Sequence, residues 1–134
     1  MKNNKISKNW IDKQKKDIFF QKSKIHGYRS RSAFKLIEID KKFKFIKKNS
    51  NLLDLGSSPG GWSQVVSKKI KNGKILSIDI KSMEAIKNIH FLKGDFQKKE
   101  IFDKILNYFD KKMPLFCKIF IAKFIAFKHN SPVL

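Results

Sequence analysis

The sequence is poor in several residue types, and each scarcity excludes a class of protein. Cys117 is the single cysteine of 134 residues, which excludes a disulfide framework and favours a reducing compartment. The amino-terminal residues MKNNKISKNWIDKQKK lack the apolar core of a signal peptide. The most apolar stretch, residues 114–127, is too short for a span of about 20 residues and contains two lysines. We therefore expect a soluble, cytoplasmic protein.

Acidic residues are also scarce. The chain has 11 Asp and Glu against 31 Lys and Arg, a formal net charge of +20. Such a charge favours a polyanionic partner, either nucleic acid or an anionic membrane surface. A second explanation stays open, because the chain is also rich in Ile, Asn and Phe, which accompany lysine in AT-biased coding. Arginine occurs only at Arg29 and Arg31, and this confinement to one tripeptide is more informative than the net charge.

Apolar residues are sufficient for a core, since 41% of the chain is hydrophobic. A length of 134 residues predicts one domain at most, and periodicity and turn residues predict its elements. The predicted order is a helix Ser30–Phe43 capped by Ser30, a strand Asn51–Leu55, a helix from Gly60 to about Ile70, strands Lys74–Ile80 and His90–Leu92, and a helix Glu100–Phe109. Residues 116–127 fit either a strand or a helix. Strands that alternate with helices predict a parallel α/β sheet, of which three strands form only half.

Three of the six glycines lie in one turn, at Gly56, Gly60 and Gly61. A buried strand that runs into a glycine-rich turn and then a helix is typical of nucleotide-binding α/β folds. The dinucleotide pattern G-x-G-x-x-G is absent, which disfavours a pyrophosphate and favours a ligand such as S-adenosylmethionine. An ordinary turn is the alternative.

Two aspartates follow the later strands. Asp79 ends the second strand, about 20 residues after Gly60, the spacing at which an acid meets ribose hydroxyls in such folds. Asp95 follows the third strand and could accept a hydrogen bond from an adenine amino group, with Phe96 near the base. Each acid alone could equally be a loop residue, because Gly-Asp is a common turn pair. Together they predict a nucleoside site at the carboxyl ends of the strands.

Three tracts carry a resemblance to a known family. They are Gly27–Leu36 (GYRSRSAFKL), Asp54–Gln64 (DLGSSPGGWSQ) and Gly94–Phe96 (GDF). The region from His26 to Phe96 resembles the FtsJ family of ribosomal RNA 2′-O-methyltransferases. The resemblance implies a Rossmann-like methyltransferase fold, S-adenosylmethionine as cofactor, and a ribose 2′-hydroxyl of large-subunit ribosomal RNA, that of a uridine, as acceptor. We expect a monomer, with no metal and no membrane partner.

The resemblance also assigns residues by position. It places Gly60, Trp62, Asp79 and Asp95 in the cofactor site, and it makes Lys35 the first lysine of a Lys-Asp-Lys-Glu catalytic tetrad. A lysine amine can take or weaken the proton of a 2′-hydroxyl, and methyl transfer is then largely a matter of alignment. Without the motif, Lys35 would be an ordinary solvated lysine of a helix.

The two arginines of the first tract also receive a prediction. We expect Arg29 and Arg31 to contact substrate phosphates, with surface caps as the alternative.

The resemblance weakens after about Phe96. Asp110 is the last acidic residue, no glutamate follows Glu100, and the other three tetrad members have no counterpart. We expect a basic segment 1–29, the amino-terminal part of a methyltransferase domain over 30–112, and a divergent tail 113–134 that arises from truncation or a frame change near residue 113. The fold would then be incomplete in its C-terminal half.

Two functions therefore stay open. One is a methyltransferase with an intact cofactor site and impaired catalysis. The other is a non-catalytic RNA-binding remnant that uses Arg29, Arg31 and Lys41–Lys48. A nucleotide-binding oxidoreductase is disfavoured by the missing glycine pattern.

Overall fold

A parallel sheet flanked by helices forms the centre of the protein. The computed structural model describes residues 11, 13 and 17–110, and the backbone of residues 117–121. In chain order the elements are α1 (Ile18–Ile25), α2 (Ser32–Phe43), β1 (Asn51–Leu55), α3 (Gly61–Lys69), β2 (Ile75–Asp79), β3 (His90–Lys93), α4 (Lys99–Tyr108) and β4 (Cys117–Ile121).

The four strands lie in the order β3-β2-β1-β4, and every pair is parallel. Leu52 of β1 pairs with Ile75 of β2, and Asp79 of β2 pairs with Lys93 of β3. The predicted α/β class with a parallel sheet is confirmed. The predicted strands and helices between residues 30 and 109 are all present, with ends shifted by two residues at most. Residues 116–127, which fitted either state, contain the strand β4 beside β1.

Side chains alternate across the sheet and fill a core on each face. Leu52 and Ile75 face one side, whereas Leu53 and Leu76 face the other, because successive strand residues point in opposite directions. The first core contains Ala33, Leu36, Ile46, Leu52, Trp62, Val65, Val66, Ile70 and Ile75. The second contains Leu53, Leu55, Leu76, Ile78, Ile105 and Phe109. The strands β1 and β2 are therefore covered by α2 and α3 on one face and by α4 on the other, as expected for parallel strands.

A buried polar cluster fixes α3 on the sheet. Ser63 Oγ donates to Asp54 Oδ2 at 2.6 Å and lies 2.8 Å from Ser77 Oγ. All three residues are buried, and they come from α3, β1 and β2 respectively. Because buried polar groups need partners, this cluster sets how the first turn of α3 sits above the two strands.

The starts of α1 and α2 differ from each other. Asp17 caps α1 by accepting from Phe19 N at 2.9 Å and Phe20 N at 3.2 Å, and it also pairs with Arg31. Burial acts to raise the pKa of Asp17, but the bonds from Phe20 N and the Arg31 guanidinium together hold that pKa below its usual value.

The predicted cap of α2 by Ser30 is wrong. The helix begins at Ser32 after Arg31 and has no side-chain cap. Ser30 Oγ instead lies 2.6 Å from Ser32 Oγ, so this hydroxyl is committed to its neighbour's side chain.

The end of the segment 1–29 packs against α2. Phe34 contacts three rings of this segment, with centroid distances of 6.3 Å to Phe19, 5.9 Å to His26 and 5.5 Å to Tyr28. The division into segments 1–29, 30–112 and 113–134 stays a prediction. No helix in the described part of the chain combines the length and apolarity that crossing a membrane requires.

Candidate functional site

The carboxyl ends of β1, β2 and β3 converge on one cavity of about 410 Å³. It is lined by Gly56, Ile78, Asp79, Ile80, Lys81, Gly94, Asp95, Phe96 and Gln97. Ligands of open parallel α/β sheets bind at this edge of the sheet. The cavity is therefore the candidate functional site.

The glycine turn between β1 and α3 closes one side of this edge. Its start is tied to β2, because Gly56 N and Ser57 N donate to Ile78 O at 2.8 and 3.0 Å. Gly60 has φ +112°, which favours glycine strongly. Ser57 Oγ is buried in the turn, and none of the described residues gives it a hydrogen bond. A ligand or a water molecule could supply the partner that this hydroxyl lacks.

Asp79 connects the glycine turn to the cavity. Its Oδ2 accepts from Ser58 N at 2.9 Å and its Oδ1 accepts from Lys81 N at 2.9 Å. The residue is 8% exposed and lines the cavity. Asp79 therefore organises both the turn and the segment that follows β2, beyond the ligand contact that its position predicts.

Asp95 follows β3 and also lines the cavity. Its Oδ1 accepts from Gln97 N at 2.9 Å, which forms a local turn after β3. Phe96 is next to it, lines the same cavity and is 36% exposed. The structure thus brings together Asp79 and Asp95, which the sequence assigned to the same site.

Trp62 is placed elsewhere, in the core beneath the glycine turn. It is 9% exposed, packs with Ala33 and Leu36 of α2, and donates from Nε1 to Ser32 O at 2.8 Å. It does not line the cavity. This bond fixes the start of α2 beside the start of α3.

Lys35 occupies the first turn of α2. Because Trp62 holds that turn at the carboxyl edge of the sheet, Lys35 lies at the same edge as the cavity. Its side chain is half-buried, and it has no hydrogen-bond or ion-pair partner among the residues that the structure describes.

The two arginines of the first tract make protein contacts. The Arg29 guanidinium donates to Pro59 O at 3.1 Å, Glu84 O at 2.8 Å and Ala85 O at 3.2 Å. Arg31 pairs with Asp17 and keeps 64% of its side chain exposed. Of the two predicted phosphate contacts, Arg31 is the more accessible.

The chemistry of the cavity fits S-adenosylmethionine. Two carboxylates can accept hydrogen bonds from ribose hydroxyls and an amino group, and Phe96 with Ile78 and Ile80 supplies apolar surface for a base. Ser57 adds the buried hydroxyl without a partner. Within the described ranges, no group of three or more His, Cys, Asp or Glu residues could hold a metal ion.

Several residues that line the cavity were not predicted from the sequence. Ile80, Lys81 and Gln97 lie one or two residues after the predicted acids, so their proximity to Asp79 and Asp95 in the chain was the available signal. The role of Arg29 had no such signal, because its three acceptors are backbone carbonyls about 30 and 55 residues away in the chain.

Comparisons with known proteins agree with this arrangement. The family model described as FtsJ-like methyltransferase matches residues 28–127, which extends past residue 113 and includes β4. A protein of Pelagibacter ubique named ribosomal RNA large subunit methyltransferase E is 53% identical over 113 residues, covering 84% of this chain and 56% of that protein. The Rickettsia typhi protein of the same name is 43% identical over 115 residues, covering 81% of this chain and 51% of that protein.

A solved structure is similar as well. A crystal structure described as a ribosomal RNA methyltransferase from Plasmodium falciparum superposes with a TM-score of 0.54 at 42% identity, covering 60% of this chain and 48% of that one. The chain spans about half the length of the curated relatives it matches.

Proposed function

Since the chain belongs to the FtsJ-like methyltransferase family, we propose that it binds S-adenosylmethionine in the cavity at the carboxyl edge of its sheet. The observation that supports this most is the convergence of Asp79 and Asp95 on one cavity beside the glycine turn. We propose a ribose 2′-hydroxyl of large-subunit ribosomal RNA, that of a uridine, as the methyl acceptor. The names of the Pelagibacter ubique and Rickettsia typhi relatives support the large subunit.

The residues of the cavity would hold the cofactor in distinct ways. Asp79 and Asp95 accept hydrogen bonds from its hydroxyl and amino groups, while Phe96 and Ile80 exclude water from the base. The first-turn N–H groups of α3, which begins after Gly60, suit a carboxylate, since a helix N-terminus carries a partial positive charge. Trp62 contributes by fixing the starts of α2 and α3. When bound, S-adenosylmethionine supplies an activated methyl group.

Lys35 is proposed as the residue that handles the proton of the acceptor hydroxyl. A 2′-hydroxyl is a weak nucleophile, and an amine within hydrogen-bond reach can take or weaken its proton. The described residues leave the Lys35 amine without a protein partner, so it is available to such a hydroxyl. The rest of the reaction is alignment of the hydroxyl oxygen with the methyl carbon.

Catalysis by the 134-residue chain is proposed to be impaired. Of the tetrad, only Lys35 has a counterpart in the sequence, and groups that act as a unit lose most of the rate when one is removed. Cofactor binding should survive, because the residues that line the cavity all lie between Gly56 and Gln97. We propose that the chain acts as a cytoplasmic monomer.

RNA binding without catalysis is the second candidate, and one observation favours it. Lys44, Lys47 and Lys48 lie between α2 and β1, so they sit at the amino ends of the strands, opposite the cavity. The five residues of β1 separate the two edges by about 17 Å at 3.3 Å per residue. Lys71 N donates to Lys48 O at 2.9 Å, which adds another lysine to the same surface. RNA could contact this surface whether or not the cavity is filled.

Calorimetry with S-adenosylmethionine tests cofactor binding. We expect the wild-type chain to bind, and Asp79→Asn to weaken binding at least tenfold, because a neutral amide accepts hydroxyl hydrogen bonds less strongly than a carboxylate. Asp103→Asn is the matched control, since it removes the same charge from an exposed position on α4. Absence of binding heat in the wild type at millimolar ligand would contradict the proposed cofactor site.

A methyl-transfer assay on isolated large ribosomal subunits tests the acceptor. We expect little incorporation with the 134-residue chain and more when a family-like C-terminal half is joined to it. If both proteins bind the cofactor but neither incorporates methyl groups into the subunits, RNA binding without catalysis would be the better supported function.

A further inference from the structure

The segment between β2 and β3, residues 80–89, forms one wall of the cavity through Ile80 and Lys81. It contains neither helix nor strand. Its local bonds are few: Lys81 N donates to Asp79 Oδ1, and Ile89 N donates to Ile86 O at 3.2 Å. Ser58 Oγ of the glycine turn donates to Ser82 O at 3.3 Å, and further support comes from outside both the turn and the segment.

Arg29 provides such support from a distant part of the chain. Its Nη1 donates to Pro59 O of the glycine turn and to Glu84 O of residues 80–89, and its Nη2 donates to Ala85 O. The guanidinium therefore joins the glycine turn to residues 80–89 with bonds that its planar fork can make at the same time. The Glu84 carboxylate lies 3.8 Å from Nη2 and is 91% exposed, so this ion pair adds little.

The backbone of Arg29 is also held in place. Arg29 N donates to Gln64 Oε1 at 2.7 Å, and Gln64 Nε2 donates to Gly27 O at 3.1 Å. Gln64 lies on α3, directly after the glycine turn. The arginine is thus anchored to the element that carries the turn, and its side chain is 21% exposed.

Gly60 shows how closely the three parts fit together. A Cβ atom on Gly60 would lie 3.0 Å from Met83 Sδ, 3.0 Å from Ile86 Cδ1 and 3.1 Å from Arg29 Nη1. Residues 80–89 and the guanidinium therefore pack directly against the glycine turn at Gly60, and they leave no room for a methyl group there.

We propose that Arg29 is a positioning residue of the cofactor site: it clamps residues 80–89 onto the glycine turn and so sets the width of the cavity, and it does not bind RNA phosphates. This inference rests on the proposed function, because it takes the cavity to be the cofactor site. A phosphate could engage the same donors only by displacing the three carbonyls.

The test compares Arg29→Ala and Arg29→Lys with Arg31→Ala as the matched control. Arg31 is two residues away and pairs with Asp17, and among the described residues it has no hydrogen bond or ion pair with residues 80–89 or with the glycine turn. Affinity for S-adenosylmethionine is measured by calorimetry below the melting temperature of each variant. We expect a loss of at least tenfold for Arg29→Ala, a partial loss for Arg29→Lys, whose one ammonium cannot reproduce the planar fork, and none for Arg31→Ala.

Two readouts separate positioning from general stability. Millimolar methylguanidinium should restore cofactor affinity to Arg29→Ala, whereas a merely destabilised protein would gain nothing from a denaturant-like ion. The slope of log affinity for large-subunit RNA against log salt should stay unchanged in Arg29→Ala, while removal of a phosphate contact lowers its magnitude by about 0.7–0.9.

The outcomes are distinguishable. If the wild type does not bind S-adenosylmethionine, the proposed function fails. If the wild type binds and both Arg29 variants bind equally well, or if the salt slope falls as for a phosphate contact, only the clamp is overturned. If Arg29→Ala does not fold, amide hydrogen exchange of Arg29→Lys is compared with that of the wild type. Faster exchange confined to residues 80–89 would support the clamp, and unchanged exchange in these residues would refute it.

Discussion

Replacing Gly60 by alanine should damage both the stability and the cofactor site of this protein. The φ of +112° is unfavourable for any residue with a Cβ, at a cost of about 1–3 kcal/mol. The new methyl group would also contact Met83, Ile86 and Arg29 at 3.0–3.1 Å, so these side-chain ends must shift by a few tenths of an ångström. Together we expect a loss of about 3 kcal/mol in the free energy of unfolding, with overpacking as the smaller part.

Gly27→Ala is the matched control for this substitution. Gly27 also has a positive φ, +71°, but an added Cβ would meet nothing within 4 Å. Gly27→Ala should therefore lower the free energy of unfolding only by the cost of the positive φ, about 1 kcal/mol. For a chain of this size each kcal/mol lowers the melting temperature by about 4 °C, so we expect falls of about 12 and 4 °C.

Thermal unfolding followed by circular dichroism measures the loss of stability, and calorimetry with S-adenosylmethionine measures the effect on the cofactor site. Gly60→Ala should bind the cofactor more weakly, since the displaced atoms include the clamp on residues 80–89. Gly27→Ala should bind as the wild type does. Equal melting temperatures for the two variants, together with unchanged cofactor affinity in Gly60→Ala, would show that the contacts around Gly60 constrain neither the fold nor the cavity.

Two further substitutions probe the contacts between α2 and α3. Asp40 is 4% exposed and accepts from Ile46 N and Lys69 Nζ; burial acts to raise its pKa, but these partners hold it below the usual value. Its ionised form therefore stabilises the fold at pH values above the unfolded pKa of about 4. We expect Asp40→Asn to lower the free energy of unfolding by about 2 kcal/mol at neutral pH. In urea titrations this difference between the variant and the wild type should shrink as the pH falls below about 4. Trp62→Phe loses the bond to Ser32 O and some core volume, so we expect a destabilisation of about 1–2 kcal/mol by thermal unfolding with less than a threefold change in cofactor affinity. A large loss of affinity at unchanged stability would instead indicate direct contact with the ligand.

Much of the fold was predictable because its signals are local. The apolar run Asn51–Leu55 has the length and flanking turn residues of a buried strand, and its bounds match those of β1. The strand β4 was not resolved from sequence, because a short apolar run fits either a strand or a helix until a pairing partner is known. The cap of α2 failed for a similar reason, since the hydroxyl of Ser30 had a competing partner in Ser32.

The residues of the candidate site also differ in how far the sequence predicts their positions. The glycine turn and the acids Asp79 and Asp95 could be assigned to one site from the sequence, because chain spacing places them at the ends of successive parallel strands, and those ends meet at one edge. The contacts of Arg29, by contrast, follow from the fold and not from the sequence pattern. A phosphate contact and a clamp on backbone carbonyls need the same side chain, and every residue has a carbonyl, so the choice depends on which carbonyls the fold brings within 3.2 Å of the guanidinium.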